Sequence, residues 1–230
     1  MTPQPIVFLG GFLSLPSTYA GMKDELARVS GQPVWVVPAY THHWLTTVSA
    51  AGWALIIRKL DATVREAVKS SSTGKITLIG HSSGGVMARL YLGAKPFHGH
   101  VFNGIHWVDT LITLGSPHYN HRGGRLRNQV NAMYPDAYFS LQVRYISVAG
   151  RSKQGKRDGT AAERRLFGAY ERLCGDGAAW GDGLVPLESA LLKGSGQIVL
   201  EGANHYGFKG NLWYGTPSLV EKWWRERSEE

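Results

Sequence analysis

A single cysteine, Cys174, occurs in 230 residues, so no disulfide can form within the chain and stability has to come from a buried core. No run approaches the roughly 20 apolar residues that a membrane-spanning helix needs. The start of the chain lacks the basic, then apolar, layout of a secretory signal; Ile6-Val7-Phe8-Leu9-Gly10-Gly11 already reads as a strand entering a turn. With cysteine so scarce, a cytoplasmic location is expected. Acidic residues are outnumbered: 17 Asp and Glu against 25 Lys and Arg give a formal charge of +8. That balance would suit anionic surfaces, and peripheral membrane contact stays open, but the bases are scattered. No nucleic-acid module is present, so nucleic acid is not an expected partner. His118 and His121 have a spacing that could hold a metal, yet no cysteine or carboxylate nearby completes a site. Neither a metal nor a cofactor is expected, and nothing obliges a state beyond monomer.

What is present alternates. Short, near-continuously apolar runs occur at Ile6 to Leu9, Val34 to Val37, Ile76 to Ile79, Thr110 to Leu114, Tyr145 to Val148 and Gln197 to Leu200. Such runs suit strands covered on both faces. Between them lie helical stretches at Pro16 to Arg28, Ala50 to Lys69, Ser83 to Leu92 and Ser218 to Arg227. The stretch from Ala50 carries Trp53, Ile56, Ile57, Leu60, Val64 and Val68 at helical spacing. The pattern predicts one α/β domain over 1–230, with a doubly wound, mostly parallel sheet of about six strands and helices on both faces. Two long connections, about 117–143 and 151–183, read as lid or pocket insertions. The first holds Tyr119, Met133, Tyr134, Tyr138 and Phe139, which suit either a pocket mouth or simple packing.

One segment carries chemistry. Gly80-His81-Ser82-Ser83-Gly84-Gly85 follows a strand and precedes the helical Val86-Met87-Ala88-Arg89-Leu90-Tyr91. In G-x-S-x-G the serine sits on a tight strand-to-helix turn, and small flanking residues let strand and helix pass closely. Ser82 is the expected nucleophile; Ser83 would offer its backbone N–H to an oxyanion. A hydroxyl needs a base, and the base an orienting acid. Of the nine histidines, His205 follows the last strand, where a loop can return the imidazole to the strand ends. The acid should precede that strand: Asp182, in Gly181-Asp182-Gly183-Leu184-Val185-Pro186, fits best, and Asp176 is its rival. The second oxyanion donor is expected from the Gly10-Gly11-Phe12 turn, at Phe12 N–H.

Together these segments resemble lipase- and esterase-like α/β-hydrolases, especially compact ones with a small cap or none, and predicted ester hydrolases of cyanobacteria and plastids. Leu9-Gly10-Gly11-Phe12 is similar to the oxyanion loop, with Leu9-Gly10 where many lipases have His-Gly. Leu114-Gly115-Ser116-Pro117-His118 resembles the Leu-Gly-Thr-Pro-His segment of many lipases. Asp182-Gly183-Leu184-Val185-Pro186 and Asn204-His205 resemble the acid and histidine loops. The resemblance implies an α/β-hydrolase fold and a Ser82–His205–Asp182 triad cleaving small-molecule or lipid-like esters through an acyl-enzyme. A thioesterase or acyltransferase would use the same triad, and a non-catalytic ligand-binding protein would keep the fold alone. His42-His43-Trp44 could line a pocket but suits packing better, and Trp223 and Trp224 suit anchoring of the last helix.

Overall fold

The computed structural model describes residues 4–227. Its strands are β1 (Ile6–Leu9), β2 (Val34–Val36), β3 (Ile76–His81), β4 (Val108–Leu114), β5 (Arg144–Arg151), β6 (Lys153–Gln154), β7 (Trp180–Gly181) and β8 (Gly196–Glu201). Its helices are α1 (Ala20–Ser30), α2 (Thr41–Leu45), α3 (Ala50–Val68), α4 (Ser83–Leu92), α5 (Arg125–Met133), α6 (Ala161–Cys174), α7 (Leu187–Ala190) and α8 (Pro217–Glu226).

Six strands form one parallel sheet in the order β2-β1-β3-β4-β5-β8. The β-branched runs supply it, and alternation sorts their side chains. Val7 and Leu9 join α3 and α4 on one face, while Ile6 and Phe8 meet α1 and α8 on the other. On α3, Trp53, Ile56, Ile57, Leu60 and Val64 are buried at the spacing the sequence shows, each contributing about 1.5–3 kcal/mol. Ser49 caps that helix by accepting the Gly52 N–H at 3.2 Å. On α8, Trp223 is fully buried and its indole N–H reaches Tyr214 O at 3.0 Å, which anchors the helix as its sequence suggests.

All six strands point the same way, so their C-terminal ends share one edge; Leu9 pairs with Gly80, and Gly80 with Thr113. The helices following β1 and β2 lie on opposite faces, which makes the gap between β1 and β3 a switch point, where a crevice opens in such sheets.

The two long connections are not bare loops. The first holds α5; the second holds α6 and the small antiparallel ribbon of β6 and β7. Helix α5 escapes sequence reading because Arg125-Leu126-Arg127-Asn128-Gln129 is polar and only Val130 is buried on it. Helix α6 did carry a signal, the capping box Thr160-x-x-Glu163. Most of the residues singled out in the first connection pack: Tyr134 is buried, and Tyr119, Met133 and Phe139 lie against the core under α3 and α4, while Tyr138 is exposed. No helix among the described residues is long and apolar enough to cross a membrane.

Candidate active site

Ser82 stands between β3 and α4 with φ 54° and ψ −127°, a conformation that costs a non-glycine residue on the order of 1–3 kcal/mol. Its N–H is tied to Leu114 O of the neighbouring strand at 2.9 Å. The flanking glycines are steric necessities. A Cβ on Gly84 would sit 2.5 Å from Leu9 O, and one on Gly11 would sit 2.8 Å from the Ser82 Cβ. Strand β1, its following turn and the head of α4 therefore converge on the serine. Ser83 occupies the first position of α4, where an N–H has no intrahelical acceptor. Phe12 N–H makes no hydrogen bond among the described residues, and both residues line the cleft that contains Ser82.

His205 lies in the loop after β8, and Asp182 in the turn after β7. The imidazole Nδ1 is 2.6 Å from Asp182 Oδ2, and both side chains are buried. A carboxylate can only accept, so Nδ1 carries the proton and Nε2 keeps its lone pair. Nε2 has no hydrogen-bond partner among the described residues. The main chain fixes the pair again, since His205 N–H donates to Asp182 O at 2.9 Å. Asp182 is well satisfied: Oδ1 accepts Leu184 and Val185 N–H at 2.9 and 2.8 Å, and Oδ2 accepts the Tyr214 hydroxyl at 2.8 Å. Asp176, the rival, accepts Ala178 N–H in an exposed turn and makes no hydrogen bond or ion pair to a histidine among the described residues. Ser82 and His205 face the same edge but no hydrogen bond joins them, a looseness common before substrate is bound.

Three residues outside the motif assignments, His81, Tyr19 and Tyr214, knit the site together. His81, immediately before the serine, is fully buried, with its ring 4.8 Å from that of His205. Its Nε2 lies 3.2 Å from His205 O; a carbonyl only accepts, so Nε2 carries the proton. Its Nδ1 then accepts the Tyr19 hydroxyl at 2.9 Å, and Tyr19 Oη in turn accepts Gly11 N–H at 2.9 Å. One chain of hydrogen bonds thus runs from the turn after β1 to the loop that carries His205. Burial, and then the nearby His205, hold the His81 pKa well below that of a free histidine. The signal for His81 is its place inside the elbow motif, immediately before the serine. Tyr214, whose Oη accepts Gly150 N–H at 2.7 Å, had no motif to announce it.

Other singled-out residues lie elsewhere. Trp44 is a core residue, and His42 and His43 do not line the clefts beside Ser82. His118 is buried, with Nε2 3.0 Å from Thr113 Oγ1. Among the described residues no group of three or more His, Cys, Asp or Glu side chains is arranged to hold a metal.

Two clefts meet at the site. One of about 410 Å³ holds Ser82, Ser83 and Phe12; a wider one of about 1050 Å³ holds His205 and Asp182. Leu184 and Tyr206 border both.

A serine displayed at the carboxyl edge of a parallel sheet, just before a helix, defines the α/β-hydrolase fold. Solved structures share that fold over nearly the whole chain. Est1E from Butyrivibrio proteoclasticus superposes with a TM-score of 0.54 at 12% identity, covering 100% of this chain and 90% of that one. A gene product of Listeria innocua gives 0.57 at 15% identity over 96% and 92% of the two chains. A putative hydrolase of the alpha/beta superfamily from Xanthomonas campestris pv. campestris gives 0.53 at 12% over 97% and 99%. The chain belongs to the family described as "Putative serine esterase (DUF676)", whose pattern matches residues 6–163. That span contains Phe12, Ser82 and Ser83 and ends before Asp182 and His205. No curated protein matches the chain in sequence.

Proposed function

We propose that the chain is a serine carboxylic ester hydrolase that works through an acyl-enzyme on Ser82. The observation that carries this reading is the buried Asp182–His205 pair, which leaves His205 Nε2 unpartnered on the edge where the elbow presents Ser82. In the first half-reaction Nε2 takes the Ser82 proton as Oγ attacks the ester carbonyl. The C=O becomes an oxyanion held by Phe12 and Ser83 N–H. As the carbonyl re-forms, the C–O bond to the alcohol breaks and His205 returns the proton to the departing oxygen. Water, deprotonated by His205, then attacks the acyl-enzyme; the acid leaves and Ser82 regains its proton. Asp182 holds the imidazole in the required tautomer and offsets its transient positive charge.

Thioester hydrolysis is a second reading. The wide cleft on the His205 side is lined by Lys153 and Arg165, besides a Lys156–Glu163 ion pair, so it suits a bulky, anionic leaving group of the kind thiol carriers bear.

Hydrolysis of p-nitrophenyl esters from acetate to palmitate, by wild type and by Ser82→Ala, tests the proposal. Loss of the nucleophile is expected to cost on the order of a millionfold in kcat. Equal rates in both proteins would refute it. Thioesters turned over faster than oxygen esters of the same acyl group would favour the second reading.

A further inference from the structure

The smaller cleft is apolar over most of its wall, formed by Trp53, Val86, Met87, Leu173 and Val185 beside Ser82. One charged residue lines it, Arg127 of α5. The guanidinium is half-buried and makes no hydrogen bond or ion pair among the described residues. Several other arginines are matched: Arg28 pairs with Glu25, Arg65 with Asp61, and buried Arg89 donates to Asn131 Oδ1 and to Tyr134 O. Burial alone pulls the Arg127 pKa down, with no carboxylate near enough to offset it. The guanidinium is only partly withdrawn from water, and its N–H donors, without an acceptor on the protein, are free to take one from a ligand in the cleft. Four residues on, Asn131 is clamped between Arg89 and His118 O.

Beyond Arg127 the same wall opens into a hollow of about 560 Å³, lined also by Arg125, Gln129, Thr47 and Ser49. The first turn of α5, at that hollow, carries no acidic residue, and its N-cap is Gly124, with no capping side chain. Neither lining contains a carboxylate. The positive end of the helix, Arg125 and Arg127 therefore all favour an anion there.

The two clefts also divide the substrate. Phe12 and Ser83, the oxyanion donors, line the small cleft, whereas His205, which protonates the leaving group, lines the wide one. The acyl half therefore faces Arg127. We propose that the small cleft binds an acyl chain ending in a carboxylate, held by the Arg127 guanidinium, so that the substrates are half-esters or half-thioesters of dicarboxylic acids. One planar guanidinium matches one carboxylate in a two-pronged hydrogen bond, and the apolar walls accept the methylenes between. This inference rests on Ser82 being the nucleophile.

The test compares p-nitrophenyl monoesters of glutaric, adipic and pimelic acids with neutral p-nitrophenyl esters of equal chain length and with ω-amino analogues. The readout is the ratio of kcat/KM between charged and neutral esters. In the wild type at least one ω-carboxy ester should exceed its neutral counterpart by about tenfold or more, and the ω-amino ester should fall below it. Arg127→Met, which keeps the stem but removes the charge, should bring the ratio to about one, and Arg127→Lys should leave it between the two. A wild type that prefers neutral esters at every length, or a preference that survives Arg127→Met, would overturn the inference while leaving Ser82-dependent hydrolysis intact. Absence of Ser82-dependent turnover of every ester would overturn the underlying reading, and this one with it.

Discussion

Tyr214 bridges two parts of the site through one oxygen, donating to Asp182 Oδ2 and accepting from Gly150 N–H. Tyr214→Phe removes both contacts while keeping the buried ring. The Asp182 carboxylate loses a partner that fixes its plane toward His205, and Gly150 N–H is left buried without an acceptor. At about 1.5 kcal/mol for a hydrogen bond to a charged group, kcat should fall about tenfold with KM little changed. Steady-state kinetics on a short p-nitrophenyl ester would show this; unchanged kcat would mean that the Leu184 and Val185 N–H groups hold the aspartate without help. Such residues differ in legibility from the proposed triad. Ser82 and Asp182 announce themselves through local spacing and glycine neighbours, and His205 through its place after the last strand. Tyr19 and Tyr214 act by contacts 62 and 32 residues away in sequence, to His81 and Asp182, and no window along the chain contains both ends.

Among the secondary-structure elements, those filling the core were readable and those attached by polar contacts were not. Strand β1 and helix α4 occupy the same residues that the sequence pattern indicates, because a buried apolar run has few alternatives. Helix α5 is instead held by Arg89, which reaches from α4 to Asn131 Oδ1 at 3.0 Å and to Tyr134 and Asp136 carbonyls at 2.7 and 3.2 Å. A single arginine inside an apolar helix does not reveal which segment it will hold. Arg89→Met fills the space but leaves those acceptors without a donor, at a cost of about 2–4 kcal/mol in total. The loss should appear first as local opening. Hydrogen exchange over residues 125–136 should accelerate more than over β3 and β4, and uniform acceleration everywhere would contradict the assignment of Arg89 as the clamp of this segment.

For the whole molecule, the pH dependence of stability follows from two buried histidines. Burial lowers the pKa of His81 and of His118 well below the ordinary value; His205 adds to the effect at the first, and Arg89 at the second. An unfolded histidine titrates near 6.5, so below that pH the unfolded chain binds protons that the folded chain refuses. Their stabilising effect is therefore complete above about pH 6.5 and lost as pH falls toward the folded values. The slope is about 1.4 kcal/mol per pH unit for each, or about 2.7 for both. The pKa of Glu163, lowered to about 2 by the Thr160 N–H and then Lys156, acts in a separate and more acidic window. Urea midpoints measured between pH 7.5 and 5 should show the decline, and His118→Gln should halve its slope; a flat profile would mean that these rings accept protons in place. The central claim, that Ser82 is a nucleophile activated by the histidine of a buried Asp182–His205 pair, is most directly tested by labelling with a fluorophosphonate followed by peptide mapping. The account predicts a single adduct on the peptide carrying Ser82, absent in Ser82→Ala and formed far more slowly in His205→Ala. An adduct on any other residue, or none on the folded wild type, would contradict it.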